Sequence, residues 1–140
     1  DLILAVLRLR DEIFRNRFYR RIEELADNPR DQLIAMFDEL QDWFEDPDFR
    51  GCMFIKASSE FQDRDHPIHR QSADHKRMLQ THISKLAETA GLSQPDQLAR
   101  QLLLLAEGAI VTAHMKHTES PAADARQAAL ALVAAHEPQP

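Results

Sequence analysis

Glycine, cysteine and long apolar runs are all scarce in this sequence, and each shortage removes a class of protein. With 3 glycines in 140 residues, there is no glycine-rich loop to cradle a phosphate and no Gly-x-Ser-x-Gly elbow. The one cysteine, Cys52, excludes an intrachain disulfide and agrees with a reducing compartment, so a cytoplasmic location is expected. The apolar opening from Asp1 to Leu7 is broken by Arg8, Arg10, Asp11 and Glu12, far short of the roughly 20 residues that span a bilayer. No membrane partner is expected, and no segment repeats at a fixed period. Basic charge is also short: 17 Lys+Arg against 23 Asp+Glu leave −6, and an acidic surface repels the phosphate backbone of nucleic acids. A His-Glu-x-x-His zinc motif is missing, and no glutamate is followed three residues later by histidine, as a di-iron bundle requires. The chain reads as neither an enzyme nor a cofactor carrier.

What is present suits a single all-α domain over residues 1–140: 44% hydrophobic and 29% charged residues, with apolar positions spaced by three and four. Leu2, Ile3, Val6, Leu7, Ile13, Phe14, Phe18, Ile22 and Leu25 mark one stripe of a long helix from Asp1 to about Asp27. Asn28-Pro29 gives a cap followed by proline at the first helical position, and Leu33, Phe37, Leu40 and Phe44 carry the next helix to Glu45. Asp46-Pro47-Asp48 stops it. Cys52 to Gln62 is a short third helix; the fourth opens at Pro67 and stops at Gly91. Ser93 is expected to cap a fifth helix from Pro95 to about Thr118. Ser120-Pro121 opens a sixth, alanine-rich helix that ends near His136. Leu102 to Ala106 is apolar on every side, and a helix without a polar face must be surrounded, by its own domain or by a partner.

The order of these elements, with Asn28-Pro29, Asp46-Pro47-Asp48-Phe49-Arg50-Gly51-Cys52, Ala90-Gly91, Leu98-Ala99-Arg100-Gln101-Leu102 and Glu107-Gly108-Ala109, resembles the regulatory domain of TetR-type repressors. The resemblance implies a homodimer whose last two helices pair with those of a second copy in a four-helix bundle. An all-round apolar helix beside an alanine-rich one fits such an interface independently. The residues expected there are Leu102, Leu105, Ala106, Ala109, Ile110 and Ala113 on the fifth helix, and Ala125, Ala128, Ala129, Leu132 and Ala135 on the sixth. The resemblance further implies a small-molecule effector, and DNA binding only through an N-terminal helix-turn-helix domain that this chain does not contain. Asp1 is accordingly expected to open the connecting helix.

An effector pocket of this kind would lie among the first five helices. Phe18, Phe37, Trp43, Phe44, Phe54, Phe61 and Met78 are the bulky candidates for apolar walls, and Ser58, His82 and Glu107 the candidate polar groups. The plainer reading of such an aromatic and methionine stripe is ordinary core. The alternative to effector control is a helical dimerisation module without any ligand cavity; a void of about 300 Å³ separates the two. Gly108 inside an apolar helix suggests close helix approach. His66, His69 and His75, with Asp65 and Asp74, and the pair His114 and His117 have spacings that could hold a metal, but solvated helix ends account for them and none is expected. Cys52 is read as a structural thiol rather than a redox sensor, with Arg50 and Lys56 as its nearby cations.

Overall fold

The computed structural model describes residues 1–116 and 118–138. Its helices are α1 (Leu2–Leu25), α2 (Pro29–Glu45), α3 (Met53–Glu60), α4 (Pro67–Thr89), α5 (Pro95–Met115) and α6 (Pro121–His136), with no strand among the described residues. Four of these starts carry proline in the first turn, where its missing N–H costs nothing. Asn28 caps α2 by accepting from the Asp31 N–H at 2.9 Å. Asp1 accepts from the Ile3 N–H at 3.0 Å. Two expected caps work differently. Gln94, in left-handed conformation, precedes α5 without a side-chain cap, while the Ser93 N–H donates to the His136 carbonyl at 2.8 Å. Ser120 precedes α6, but its hydroxyl makes no capping bond. Helix α4 ends in a Schellman turn: Gly91 (φ +75°) donates to Glu88 and Leu92 to Ala87, so glycine takes the left-handed position that L residues avoid.

The helix surrounded on all sides is α2. Leu33, Ile34, Ala35, Met36 and Phe37 are all buried in succession, because α2 packs on α1, α4, α5 and α6 at once. The Leu102–Ala106 run on α5 is covered on one side only: Leu102 and Leu103 are buried, but Leu104 is 67% exposed. The row that α5 turns into the chain's own core is Leu98, Leu102, Ala106, Ala109 and Ile110; that of α6 is Ala122, Ala125, Ala129 and Val133. Six of the residues expected at an interface lie on these inner rows. Leu102, Ala106, Ala109, Ile110, Ala125 and Ala129 are spent on the monomer core, whereas Leu105, Ala113 and Leu132 are half-buried and Ala128 and Ala135 exposed. The outer row of α5 is Leu104, Gly108, Val111 and Met115, and on α6 Ala128, Ala131 and Ala135 are exposed. Gly108 makes no close approach within the chain, since a Cβ built on it meets nothing within 4 Å.

The expected stripe of α1 is followed closely only from Phe14 to Ile22: Phe18 and Ile22 are buried and Phe14 half-buried, while Leu2, Ile3, Val6, Ile13 and Leu25 stay exposed and only Leu7 is covered near the start. Arg21 ties α1 to Glu39 and Asp42 of α2, and Arg126 ties α6 to Asp38. Such partly exposed pairs align helices more than they stabilise them. Among the described residues no helix is long and apolar enough to cross a membrane.

Candidate functional site

Every helix except α6 contributes to one cavity of about 310 Å³. From α1 come Phe14 and Phe18, four residues apart and therefore on one face. Met36, Leu40 and Trp43 come from α2, Cys52 and Gly51 from the turn before α3, and Phe54 from α3. His75, Leu79 and Ile83 continue the buried row of α4, and Leu103, Ala106 and Ile110 face in from α5. The walls are aromatic. Phe14 stacks on Phe18 at 5.7 Å and meets Trp43 at 5.9 Å, and Phe54 lies flat on the His75 ring at 3.8 Å. Gly51 takes φ +83°, and a Cβ there would stand 3.1 Å from the His114 ring, so a glycine lets this turn sit against α5.

A polar cluster lies behind His75, its one member that lines the cavity. Asp11, 2% exposed, accepts from His75 Nδ1–H at 2.6 Å and Arg15 Nε–H at 2.7 Å through Oδ1, and from Gln71 at 3.2 Å through Oδ2. Burial works to raise the Asp11 carboxyl, but the hydrogen bonds and charges of Arg15 and His75 outweigh it and hold the group below its ordinary value. Desolvation dominates at His75 and takes its pKa from 6.5 down to about 4, despite the opposing bond to Asp11. At neutral pH the pair is a carboxylate and a neutral imidazole that carries its proton on Nδ1. Elsewhere on the wall, Lys76 lies 3.5 Å from Glu107 and donates to the Cys52 Sγ at 3.6 Å. Arg10 and Arg17, both exposed, stand at the rim.

Of the expected ligand residues, the structure brings Phe18, Trp43, Phe54 and Glu107 together here. The others lie elsewhere. Phe37 is 1% exposed in the core, and Phe44 packs on Phe49 at 5.1 Å toward the far end of α2. Ser58 donates to the Ile55 carbonyl, and Phe61 stacks on His66. Met78 is 45% exposed because it sits one position round α4 from the buried row Ser72, His75, Leu79 and Ile83. His82 stacks on Tyr19 at 3.8 Å; it and Met78 line a shallow groove on the outside of α1 and α4. The His66, His69 and His75 group is divided: His66 caps α4, His69 donates to the Phe61 carbonyl at 2.8 Å, and His75 belongs to Asp11. His117, half of the other pair, lies outside the described residues. Lys56 donates to the Arg50 carbonyl, so the cation nearest the buried Cys52 thiol is Lys76 rather than either of these. Sequence reasoning missed Asp11, Phe14 and Lys76. The available signal was Asp11 itself, a charge set in the row Leu7, Asp11, Phe14, Phe18 and Ile22, where every other member is apolar.

Six helices in this order, with no strand among the described residues, have the architecture of the C-terminal domains of transcriptional regulators. Residues 29–129 match the family of tetracyclin repressor-like C-terminal domains, and the chain belongs to that family. It is similar to the HTH-type transcriptional regulator YjdC of Escherichia coli strain K12, 28% identical over 79 residues that make up 56% of this chain and 41% of that protein. The chain thus spans about two fifths of the length of the curated relatives it matches. In fold it is similar to a TetR-family transcriptional regulator from Streptomyces coelicolor, with a TM-score of 0.86 at 24% identity over 97% of this chain and 67% of that one. A TetR-type regulator from Streptomyces avermitilis superposes with a TM-score of 0.71 at 27% identity, covering 90% and 74%.

Proposed function

We propose that this domain is the ligand sensor of a transcriptional regulator: a small, mostly apolar effector enters the cavity between α1 and α5 and alters DNA binding by a separate reader domain of the same protein. The observation that carries the reading is the cavity. Its volume of about 310 Å³ lies at the lower end of the roughly 300–1,000 Å³ usual for ligand pockets, and a few polar groups converge on apolar walls. It speaks against the alternative of a helical module with no void. Helix α5 presents Leu103, Ala106 and Ile110 to the cavity and Leu104, Gly108 and Val111 to the outside, so one rigid element carries both the ligand wall and the outer face. A ligand that prefers one placement of α5 shifts the population of that placement. The test is titration of the domain with a fluorescent apolar dye, followed by a gel shift of the full-length regulator on its promoter region. Saturable one-to-one uptake and ligand-dependent DNA release are expected. No dye uptake, or no DNA binding at any protein concentration, defeats the reading.

Dimerisation is the second part of the proposal, and a separate observation favours it. Leu104 at 67%, Val111 at 42% and Met115 at 69% exposure form an apolar row on α5, with Gly108 in its middle open to close approach by a second helix. Rows of this kind on a soluble domain mark association surfaces. Sedimentation equilibrium of the wild type and Leu104→Glu is the check: a dimer that becomes a monomer on substitution is expected, and a wild-type monomer at tens of micromolar rejects it.

A further inference from the structure

The polar cluster behind the cavity is set up with one orientation. His75 Nδ1 is occupied by Asp11, the Asp11 carboxylate is held in place by Arg15 and Gln71, and His75 lines the cavity. Among the described residues, Nε2 of His75 has no hydrogen-bond partner. The imidazole is therefore fixed in the tautomer that offers the cavity a lone pair and no proton. A carboxylate behind an imidazole also raises the basicity of the far nitrogen, as it does behind metal-bound histidines. Flat walls surround this acceptor: Phe54 is parallel to the His75 ring, and Phe14 meets it edge-on at 5.4 Å.

From this arrangement we infer that the effector is a planar aromatic compound carrying a neutral hydroxyl at its buried end, which donates a hydrogen bond to His75 Nε2. The inference rests on the effector-binding reading above and narrows its ligand class. Three considerations select it. Carbonyl and ether oxygens have no proton to give this acceptor and cannot replace a hydrogen bond from water. A protonated amine could donate, but the cations Arg10, Arg17 and Lys76 line the same cavity against the one carboxylate of Glu107, and Lys76 already lies beside that carboxylate. A cavity of about 310 Å³ admits one or two fused rings rather than a large polycyclic drug. Burial keeps His75 neutral down to about pH 4, so the acceptor is available throughout the physiological range.

The test uses calorimetry on the whole domain, with emission of Trp43, the sole tryptophan and a cavity residue, as a second readout. The probes are 2-naphthol, its isostere 2-methylnaphthalene, and 2-(aminomethyl)naphthalene. A hydroxyl paired with an otherwise unpaired acceptor makes 2-naphthol about tenfold tighter than either of the others. His75→Phe, which keeps a ring against Phe54 but has no acceptor, erases that preference while 2-methylnaphthalene still binds. Asp11→Asn, which unlocks the tautomer, reduces it, so the case does not depend on one variant folding. Equal affinity of 2-naphthol and 2-methylnaphthalene for the wild type overturns the hydroxyl assignment and leaves the cavity reading standing. Absence of binding by all three, with no uptake of an apolar dye, overturns both.

Discussion

Lowering the pH from 7 to 5 is expected to destabilise the folded domain mainly through His75, and the size of the loss follows from its position. The side chain is 99% covered and its pKa is depressed from 6.5 to about 4 by desolvation. A folded-state pKa below the unfolded one means that the unfolded chain takes up the proton first. Stability is therefore fully present above about pH 6.5 and is lost progressively as the pH falls toward 4. Between pH 7 and 5 the unfolded histidine gains most of a proton and the folded one about a tenth, which removes about 2 kcal/mol. Out of a typical total of about 5–15 kcal/mol that is a large fraction. His82, also depressed by burial with Glu23 opposing, adds a smaller loss of the same sign. Asp11 works in a different window: its lowered pKa gives stability that disappears only as the pH falls below the ordinary 3.8 of an aspartate.

Urea unfolding followed by circular dichroism at fixed protein concentration measures this directly. With an m-value of about 2 kcal/mol/M, the wild-type midpoint falls by about 1 M between pH 7 and 5. His75→Phe removes the titrating group but keeps a ring against Phe54, so its midpoint falls by much less, whatever its stability at pH 7. The comparison is between slopes, so destabilisation caused by leaving Asp11 with fewer partners does not confuse it. A variant as acid-sensitive as the wild type refutes the assignment of a buried neutral imidazole to this position.

Other outcomes test separate parts of the structure. Gly51→Ala and Gly91→Ala impose the same left-handed strain, at φ +83° and +75°, but only the first places a Cβ 3.1 Å from the His114 ring; thermal melts are expected to show a loss of about 1 kcal/mol at Gly91 and clearly more at Gly51. Asn28→Ala removes the bond to the Asp31 N–H and costs about 1 kcal/mol in the same assay; no loss means the α2 start does not depend on its cap. Ala106→Leu adds three carbons to the cavity wall, where Ala106 is 6% exposed. It is expected to weaken apolar dye binding at least tenfold while the melting temperature stays within a few degrees, and undiminished uptake would locate the dye elsewhere.

How much of this was legible in the sequence depended on whether the signal was local. Helix starts at Asn28-Pro29 and Pro121, and the stop at Gly91, rest on neighbouring residues, so the six-helix order could be written down from the chain. Which side of a helix faces the core was harder. Leu102 to Leu105 are four consecutive leucines, and periodicity within such a run says nothing about which of them another helix will cover. Only the packing of α5 against its neighbouring helices shows that Leu102 and Leu103 are inside and Leu104 outside. The same uncertainty spread the expected dimer residues over both sides of α5 and α6, six on the inner rows and five half-buried or exposed.

The cavity was legible in its walls and hidden in the polar cluster behind them, and the reason is separation along the chain. Phe18, Trp43 and Phe54 were candidates because large aromatics must be buried somewhere. Asp11 and His75 are 64 residues apart, and either alone reads as a charged helix residue facing water. Each does, however, break the apolar row of its own helix, Asp11 between Leu7 and Phe14 and His75 between Ile68 and Leu79. A buried polar or charged group is expensive without a partner, so two such breaks on different helices of one small domain are evidence that the helices meet there and satisfy each other. Applied to this chain, that rule pairs α1 with α4 at the level of the cavity before any coordinates are known. It also separates His75 from His66 and His69, whose neighbours on α4 leave them at its solvated start.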